Sequence, residues 1–274
     1  MEQKRTYFVR LNRFHRIMHV AVMLSFLGLA LTGLPLKYSD SNWARYLVTL
    51  FGGFENAGLL HRLCALVTFG YLITHLIYLV HFFRYKSPHP FLAFLFGPNS
   101  MLPGIKDLRD LYGNAKWFIG AGPKPRFDRW TYWEKFDYWA VFWGVGMIGV
   151  SGLFLWFPHV AQILPGWVLN IAFLVHSDEA LLATGFIFVF HFGHTHLRGE
   201  KFPLDPVIFT GRISEEEFRN ERPAEYERLS REGRLSAIEG SPPKLWTRVL
   251  GGLLGFCVLA IGIVLILLVM STPH

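Results

Sequence analysis

Apolar residues in this chain gather in long blocks, not at the short periods of a soluble fold. Five stretches, approximately 17–36, 59–83, 136–157, 166–194 and 246–270, carry few charges. Each can cross about 30 Å of hydrocarbon, which takes roughly 20 helical residues. The pattern predicts five transmembrane helices and an all-α, integral membrane fold. The first block is too long for a removable signal peptide and lacks a small-residue cleavage site. Residues 103–118 (PGIKDLRDLYGNAKWF) alternate charge and apolar bulk at roughly helical spacing behind Pro103, which predicts a short helix along the membrane interface. Residues 214–233 open with Ser214 and Glu217 at capping-box spacing and are dense in charge, which predicts a solvated helix or pair of helices. The expected organisation is a bundle of the first four spans over 1–210, a cytoplasmic helical segment over 211–244 and a fifth transmembrane helix over 245–274. That last helix, rich in Gly, Leu, Ile and Val, reads as a packing helix or anchor.

Composition agrees: 52% of the 274 residues are hydrophobic, 16% aromatic and 17% charged. The net charge of +7 is distributed as a topology signal. Lys4, Arg5, Arg10, Arg13 and Arg16 precede the first block. Lys86, Lys106, Arg109, Lys116, Lys124, Arg126 and Arg129 lie between the second and third, and ten more, from Arg198 to Arg248, between the fourth and fifth. The opposite loops hold few. By the positive-inside rule the N-terminus is cytoplasmic and the C-terminus outside. The charges flank spans and form no nucleic-acid-binding module, so no nucleic-acid partner is expected. Cys64 and Cys257, both inside blocks, supply neither an iron–sulfur cluster nor a C-x-x-C-H attachment. Any redox cofactor is left to histidine.

Two histidine pairs lie inside the apolar blocks: His61 and His75, fourteen residues apart, and His176 and His191, fifteen apart. An ionisable group inside a bilayer is costly and marks function. Fourteen helical residues rise about 21 Å and make nearly four turns, so His61 and His75 share a face; fifteen leave His191 about 60° from His176. The second and fourth spans run in the same direction. His61 therefore faces His176 at the outer level, and His75 faces His191 at the inner one. Opposed imidazoles at two depths suit two haems. Gly70 and Gly185, each nine residues after the first histidine of its pair, either clear a wall for a flat macrocycle or serve helix packing. His19, just inside the first block, competes for the inner level. His15, His81, His89 and His159 read as interfacial. His194 and His196 follow His191 at headgroup level beside Arg198 and Lys201 and read as propionate partners, proton handlers or snorkelling groups.

The stretches RIMHVAVMLSFLGLALTG, LLHRLCALVTFGYLITH, EKFDYWAVFWGVGMIGVSGLFLWFP and LVHSDEALLATGFIFVFHF cover most of residues 13–210. Together they resemble the di-haem cytochrome b membrane subunits of respiratory complexes. The nearest type is the gamma subunit of formate dehydrogenase, with the cytochromes b of nickel–iron hydrogenase and thiosulfate reductase as relatives. The resemblance implies a four-helix haem-binding bundle in a bacterial or archaeal cytoplasmic membrane, carrying two b-type haems. It implies His61 and His176 as ligands of the outer haem, and His19 and His191 as ligands of the inner one. Spacing alone instead resembles the two-helix cytochrome b of the bc complexes and selects His75 for the inner level. If His19 is the ligand, His75 hydrogen-bonds a propionate, lines a quinone site or serves a third haem. In the family, menaquinone or ubiquinone binds near the inner haem at the cytoplasmic start of the third helix, where relatives carry Asn and Gln. Here the positions are Thr131 and Glu134, a departure. Glu134, Asp137 and Tyr132 are suited to deliver protons to a quinone, or simply to anchor the interface.

The chain has no Rossmann fingerprint, phosphate loop or nucleophile motif, so substrate chemistry by this chain alone is not expected. The expected role is an electron-transfer subunit of an oxidoreductase complex. It would work between an outer-face partner, an iron–sulfur or multihaem cytochrome c subunit, and the quinone pool, with either direction of flow open. The rival is a non-haem membrane metalloenzyme or metal transporter using His15, His19, His191, His194 and His196. A further alternative is a pure anchor subunit.

Overall fold

The computed structural model describes residues 5–87 and 90–272; Lys4 and His89, weighed above, lie outside the described residues. The chain runs β1 (Tyr7–Val9), α1 (Arg13–Lys37), α2 (Asn42–Leu50) and α3 (Phe54–His81), which continues as a π-helical turn over Phe82–Lys86. Then come α4 (Phe91–Leu95), α5 (Ile105–Phe118), α6 (Tyr132–Trp156), α7 (Pro158–Ala161) and α8 (Trp167–Gly185), which continues as a π-helical turn over Phe186–His191 into α9 (Phe192–Thr195). The remainder is α10 (Val207–Thr210), β2 (Arg212–Ser214), α11 (Glu215–Glu221), α12 (Pro223–Arg231), α13 (Leu235–Ile238), β3 (Glu239–Gly240) and α14 (Leu245–Met270).

Among the described residues, five helical stretches are long and apolar enough to cross a membrane: Arg13–Lys37, Phe54–Lys86, Tyr132–Trp156, Trp167–Thr195 and Leu245–Met270. Three of them start about a turn before the apolar blocks, because helices continue through polar interfacial residues that hydropathy leaves out. Leu66, Ile77, Val80, Trp143, Leu253 and Leu267 on these helices are each more than half exposed. Lipid, not water, is the solvent for such surfaces, and helices satisfy their own backbone there. This is the character of a multi-pass membrane protein.

The chain forms two compact units that are not consecutive stretches. The first takes in the chain up to Arg16 together with Ile77–Ala140 and Pro206–Gly251; the second takes in Ile17–Leu76, Val141–Asp205 and the chain from Gly252.

The first unit departs from the all-α expectation. β1 pairs antiparallel with β2 (Phe8 opposite Ile213) and with β3 (Phe8 opposite Glu239), giving the order β2-β1-β3. Strands of two or three residues are too short to display a period of two. Phe8, Val207, Ile213, Phe218 and Leu229 form the core of this unit; burying such a side chain contributes about 1.5–3 kcal/mol. Ser214 caps α11, its hydroxyl accepting from the Glu217 N–H at 3.3 Å. The segment after it is a pair of helices, with Glu216, Arg219, Asn220, Glu227 and Ser230 exposed on one side and a buried stripe on the other. Phe218, Arg222, Glu225 and Leu229 are 1%, 6%, 2% and 7% exposed, a stripe at helical spacing that faces inward. Gly211, at φ +70°, turns the chain from α10 into β2 where a Cβ would strike the Leu11 carbonyl.

In the second unit α14 is more than an anchor. Leu27, Phe188, Phe192 and Val258 form one core cluster, and Ala30, Leu34, Leu265 and Val269 another. Gly262 leaves room for the Phe188 ring. Helices α1 and α3 come close where Gly28 meets the Cys64 sulfur, and the Thr68 hydroxyl donates to Ser25 Oγ at 2.9 Å.

Candidate functional site

The second unit gathers imidazoles at two levels. Along α1, His19 and Thr32 are thirteen residues apart, about 20 Å of rise. At the Thr32 level, the rings of His61 on α3 and His176 on α8 have centroids 6.1 Å apart, inclined at 71°. At the His19 level, the rings of His19 and His191 are 6.4 Å apart, inclined at 33°. His191 also lies 5.7 Å from His194 and 6.4 Å from His196, both nearly perpendicular to it.

The π-helical turn Phe186–His191 bears on this arrangement. One extra residue in a helical turn subtracts about 100° of phase, so the fifteen-residue interval from His176 to His191 behaves like the fourteen of a regular helix. The mismatch of about 60° expected from spacing becomes about 40° of the opposite sign, the same offset as between His61 and His75.

Hydrogen bonds settle which nitrogen of the first pair carries the proton. His176 Nδ1 lies 2.8 Å from the Ile148 carbonyl. A carbonyl only accepts, so Nδ1 is the donor and Nε2 keeps its lone pair. The Thr32 hydroxyl, fully buried, donates to the Gly28 carbonyl at 2.7 Å and lies 2.9 Å from His61 Nδ1. With its proton committed, Thr32 Oγ1 accepts from Nδ1–H, and His61 is likewise left with a lone pair on Nε2. Metal-binding histidines are oriented in this way, through the nitrogen that does not bind the metal. Two glycines make room for the rings. A Cβ on Gly152 would lie 2.7 Å from His176 Cε1, and one on Gly33 would lie 3.1 Å from His61 Cε1. At Gly70 and Gly185 an added Cβ would meet nothing within 4 Å, so close helix packing does not explain those two.

At the other level, His19 Nδ1 is buried without a hydrogen-bond partner among the described residues. Burial first, and then His191, hold His196 down at about 4, so it is neutral near pH 7. Its Nδ1 accepts from the Asp205 N–H at 3.2 Å, which puts its own proton on Nε2. His75, 7% exposed, stacks on Tyr71 at 6.2 Å and touches Phe142. His15, from the metal-cluster alternative, lies in the first unit, where its Nδ1 is 2.7 Å from Asn12 Oδ1 and its ring packs on Tyr78.

A comparison with known protein-family models gives no match, and a comparison with curated proteins gives none. Any assignment for this chain therefore rests on its own residues.

The residues considered for quinone belong to the first unit. Thr131 is 1% exposed and caps α6. Glu134 Oε2 accepts from both the N–H and the hydroxyl of Thr131 at 2.8 Å, and Thr131 Oγ1 accepts from the Glu134 N–H at 3.3 Å, a reciprocal capping box. Glu134 Oε1 accepts from Arg222 Nη2 at 2.8 Å and lies 3.8 Å from Arg10. Arg10 and Arg129 in turn reach Glu225 at 3.2 and 3.1 Å, with the Trp130 ring against both guanidinium groups. Burial, then the positive charges of Arg129 and Arg222, lower Arg10 to about 9, with Glu225 and Glu134 opposing. Thr131 and Glu134 thus hold a helix start and a buried ionic cluster. Asp137, the next acidic residue along α6, is half-buried. Sequence reasoning missed Thr32, Gly33, Gly152 and this ionic cluster. The position of Thr32, at the depth of His61 in a span otherwise poor in polar groups, was the available signal.

Proposed function

We propose that this chain is a membrane-embedded b-type cytochrome subunit. It binds one haem between His61 and His176 and a second between His19 and His191. One observation carries the reading: two imidazole pairs with ring centroids 6.1 and 6.4 Å apart. Imidazoles this close, on separate helices, would be able to hold one haem iron between them. The Nδ1–H tautomers of His61 and His176 present the lone pair that such ligation needs. The bound groups would supply one-electron chemistry at two depths about 20 Å apart.

The protein's own residues do the rest. Thr32 and the Ile148 carbonyl fix two ligand rings, Gly33 and Gly152 admit them, and the π turn gives the His176–His191 interval the offset of the His61–His75 one. Electrons pass between a redox partner on the outer face and menaquinone or ubiquinone near the start of α6, with the N-terminus cytoplasmic and the C-terminus outside. Asp137, half-buried one turn along α6 from Glu134, is the residue that we assign to the quinone's protons. The family is that of the respiratory di-haem cytochromes b, and the membrane is a bacterial or archaeal cytoplasmic one.

A pyridine haemochrome assay on purified protein tests this. Two haems b per chain are expected, one lost in His61→Ala or His176→Ala and the other in His19→Ala or His191→Ala. His75→Ala retains both. Colourless protein ends the proposal. A second reading, a non-haem metal held by His191 and the three imidazoles around it, has its own observation in the contacts of His191 with His19, His194 and His196. It predicts one stoichiometric zinc or iron and no Soret band.

A further inference from the structure

Helix α5 is amphipathic in the reverse of the usual sense. Its buried residues are polar. Asp107, 8% exposed, accepts from Lys135 Nζ at 2.9 Å and from the Gly104 N–H at 2.7 Å. Asn114, 7% exposed, donates to the Tyr132 hydroxyl at 2.9 Å. Its outward residues are apolar: Ile105, Leu108, Tyr112, Phe118 and the following Ile119 are 72%, 68%, 64%, 74% and 79% exposed. At 3.6 residues per turn these five and Leu111 fall within roughly 140° of arc. Arg109 and Lys116, seven residues apart, border one edge of that arc, and Lys116 Nζ lies 4.5 Å from the Tyr112 ring.

A continuous apolar face of this size is not left in water. Two observations identify what covers it. The polar side of α5 is bonded to Tyr132 and Lys135, in the first turn of a helix long and apolar enough to span a membrane. This holds α5 at the height where α6 enters the bilayer. Charge is the second. Over 103–126 there are five Lys and Arg against two Asp, and one of those Asp is committed to Lys135. An apolar face edged with basic residues is the pattern of a helix lying in a lipid headgroup layer.

We infer that α5 is a lipid-binding platform. Its Ile105–Ile119 face lies in the headgroup–acyl boundary, and Arg109 and Lys116 hold the phosphates of anionic lipids. The platform ties the start of α6 to the leaflet and makes that region sensitive to lipid charge. This depends on the membrane spans alone and not on the haem assignment.

The test uses the full chain in nanodiscs of mixed phosphatidylglycerol and phosphatidylcholine. A nitroxide is placed at Leu108→Cys in a Cys64→Ala/Cys257→Ala background, and its accessibility to oxygen and to a water-soluble nickel chelate is measured. Oxygen should exceed the chelate, with a depth of about 5–10 Å below the phosphates. Should that background misfold, benzoylphenylalanine at Leu108 in the native chain should crosslink to lipid, detected by mass. In Arg109→Gln/Lys116→Gln, the enrichment of co-purified phosphatidylglycerol over phosphatidylcholine should fall, by roughly fivefold per basic residue removed. A label as open to the chelate as one on the exposed Glu227, or a label shielded from both reagents as under a protein partner, overturns the platform. So does a crosslink to protein instead of lipid. Unchanged lipid enrichment in the double variant overturns the headgroup contact.

Discussion

Thr32→Val is the most informative single change. Valine matches threonine in shape, so the fully buried site is not opened, while the hydroxyl that accepts from His61 Nδ1 at 2.9 Å and donates to Gly28 at 2.7 Å is removed. A buried N–H left without a partner costs about 1–3 kcal/mol. Loss of a group that orients a metal ligand typically lowers affinity 10–100-fold, or about 1.4–2.8 kcal/mol, which is the same range. Thr32→Val should therefore weaken the proposed His61/His176 haem by 10–100-fold and shift its midpoint potential, with the His19/His191 haem unchanged. Thr32→Ser keeps the oxygen and should behave nearly as wild type. Haem titration of the apoprotein and a spectroelectrochemical titration read both effects. Wild-type affinity and potential in Thr32→Val, or equal losses in Val and Ser variants, would refute the orienting role.

Gly152→Val forces a side chain against His176 Cε1, where a Cβ alone would sit at 2.7 Å; it should remove one haem of two by pyridine haemochrome, whereas Gly166→Ala, with nothing within 4 Å, should remove none. Glu225→Gln breaks a buried cluster in which Arg10 and Arg129 both reach that carboxylate; the cost should be about 3–5 kcal/mol, seen as a fall of roughly 10 °C in the thermal midpoint. The Tyr226 hydroxyl, then Arg219, hold the Glu215 carboxyl below the usual carboxylate range. A lowered acid stabilises the fold above its ordinary range and ceases to do so as pH falls through that range and below, so the difference in thermal midpoint between wild type and Glu215→Gln should shrink to nothing in acid.

The spans were legible because twenty apolar residues in a row have few alternatives, and the helix over 105–118 because its period survives among charges. The sheet was not. β1 finds its partners more than two hundred residues later, and neither propensity nor pattern in a three-residue strand marks such a pairing. The ionic cluster was hidden for a different reason. Arg10, Arg129 and Arg222 were counted with the topology charges, and only folding brings them to Glu134 and Glu225. Spacing could place the His61/His176 level because each span offers one histidine there. At the other level it had His19 and His75 both at hand, and it had no way to foresee an inserted residue in the turn before His191. The structure puts His19 beside His191 and stacks His75 on Tyr71.

The three-stranded sheet also governs how the chain can be made. Tyr7–Val9 leaves the ribosome ahead of the first span, yet Arg212–Ser214 and Glu239–Gly240 follow only after four spans. While those four spans are made, β1 waits with both edges bare, a state that invites foreign pairing. A product terminated before Arg212 would keep four spans but never close that sheet, and Arg10 would lose its Glu225 counterion. Assembly thus has one late step: segments made after the fourth span must return to Tyr7–Val9 before the sheet exists.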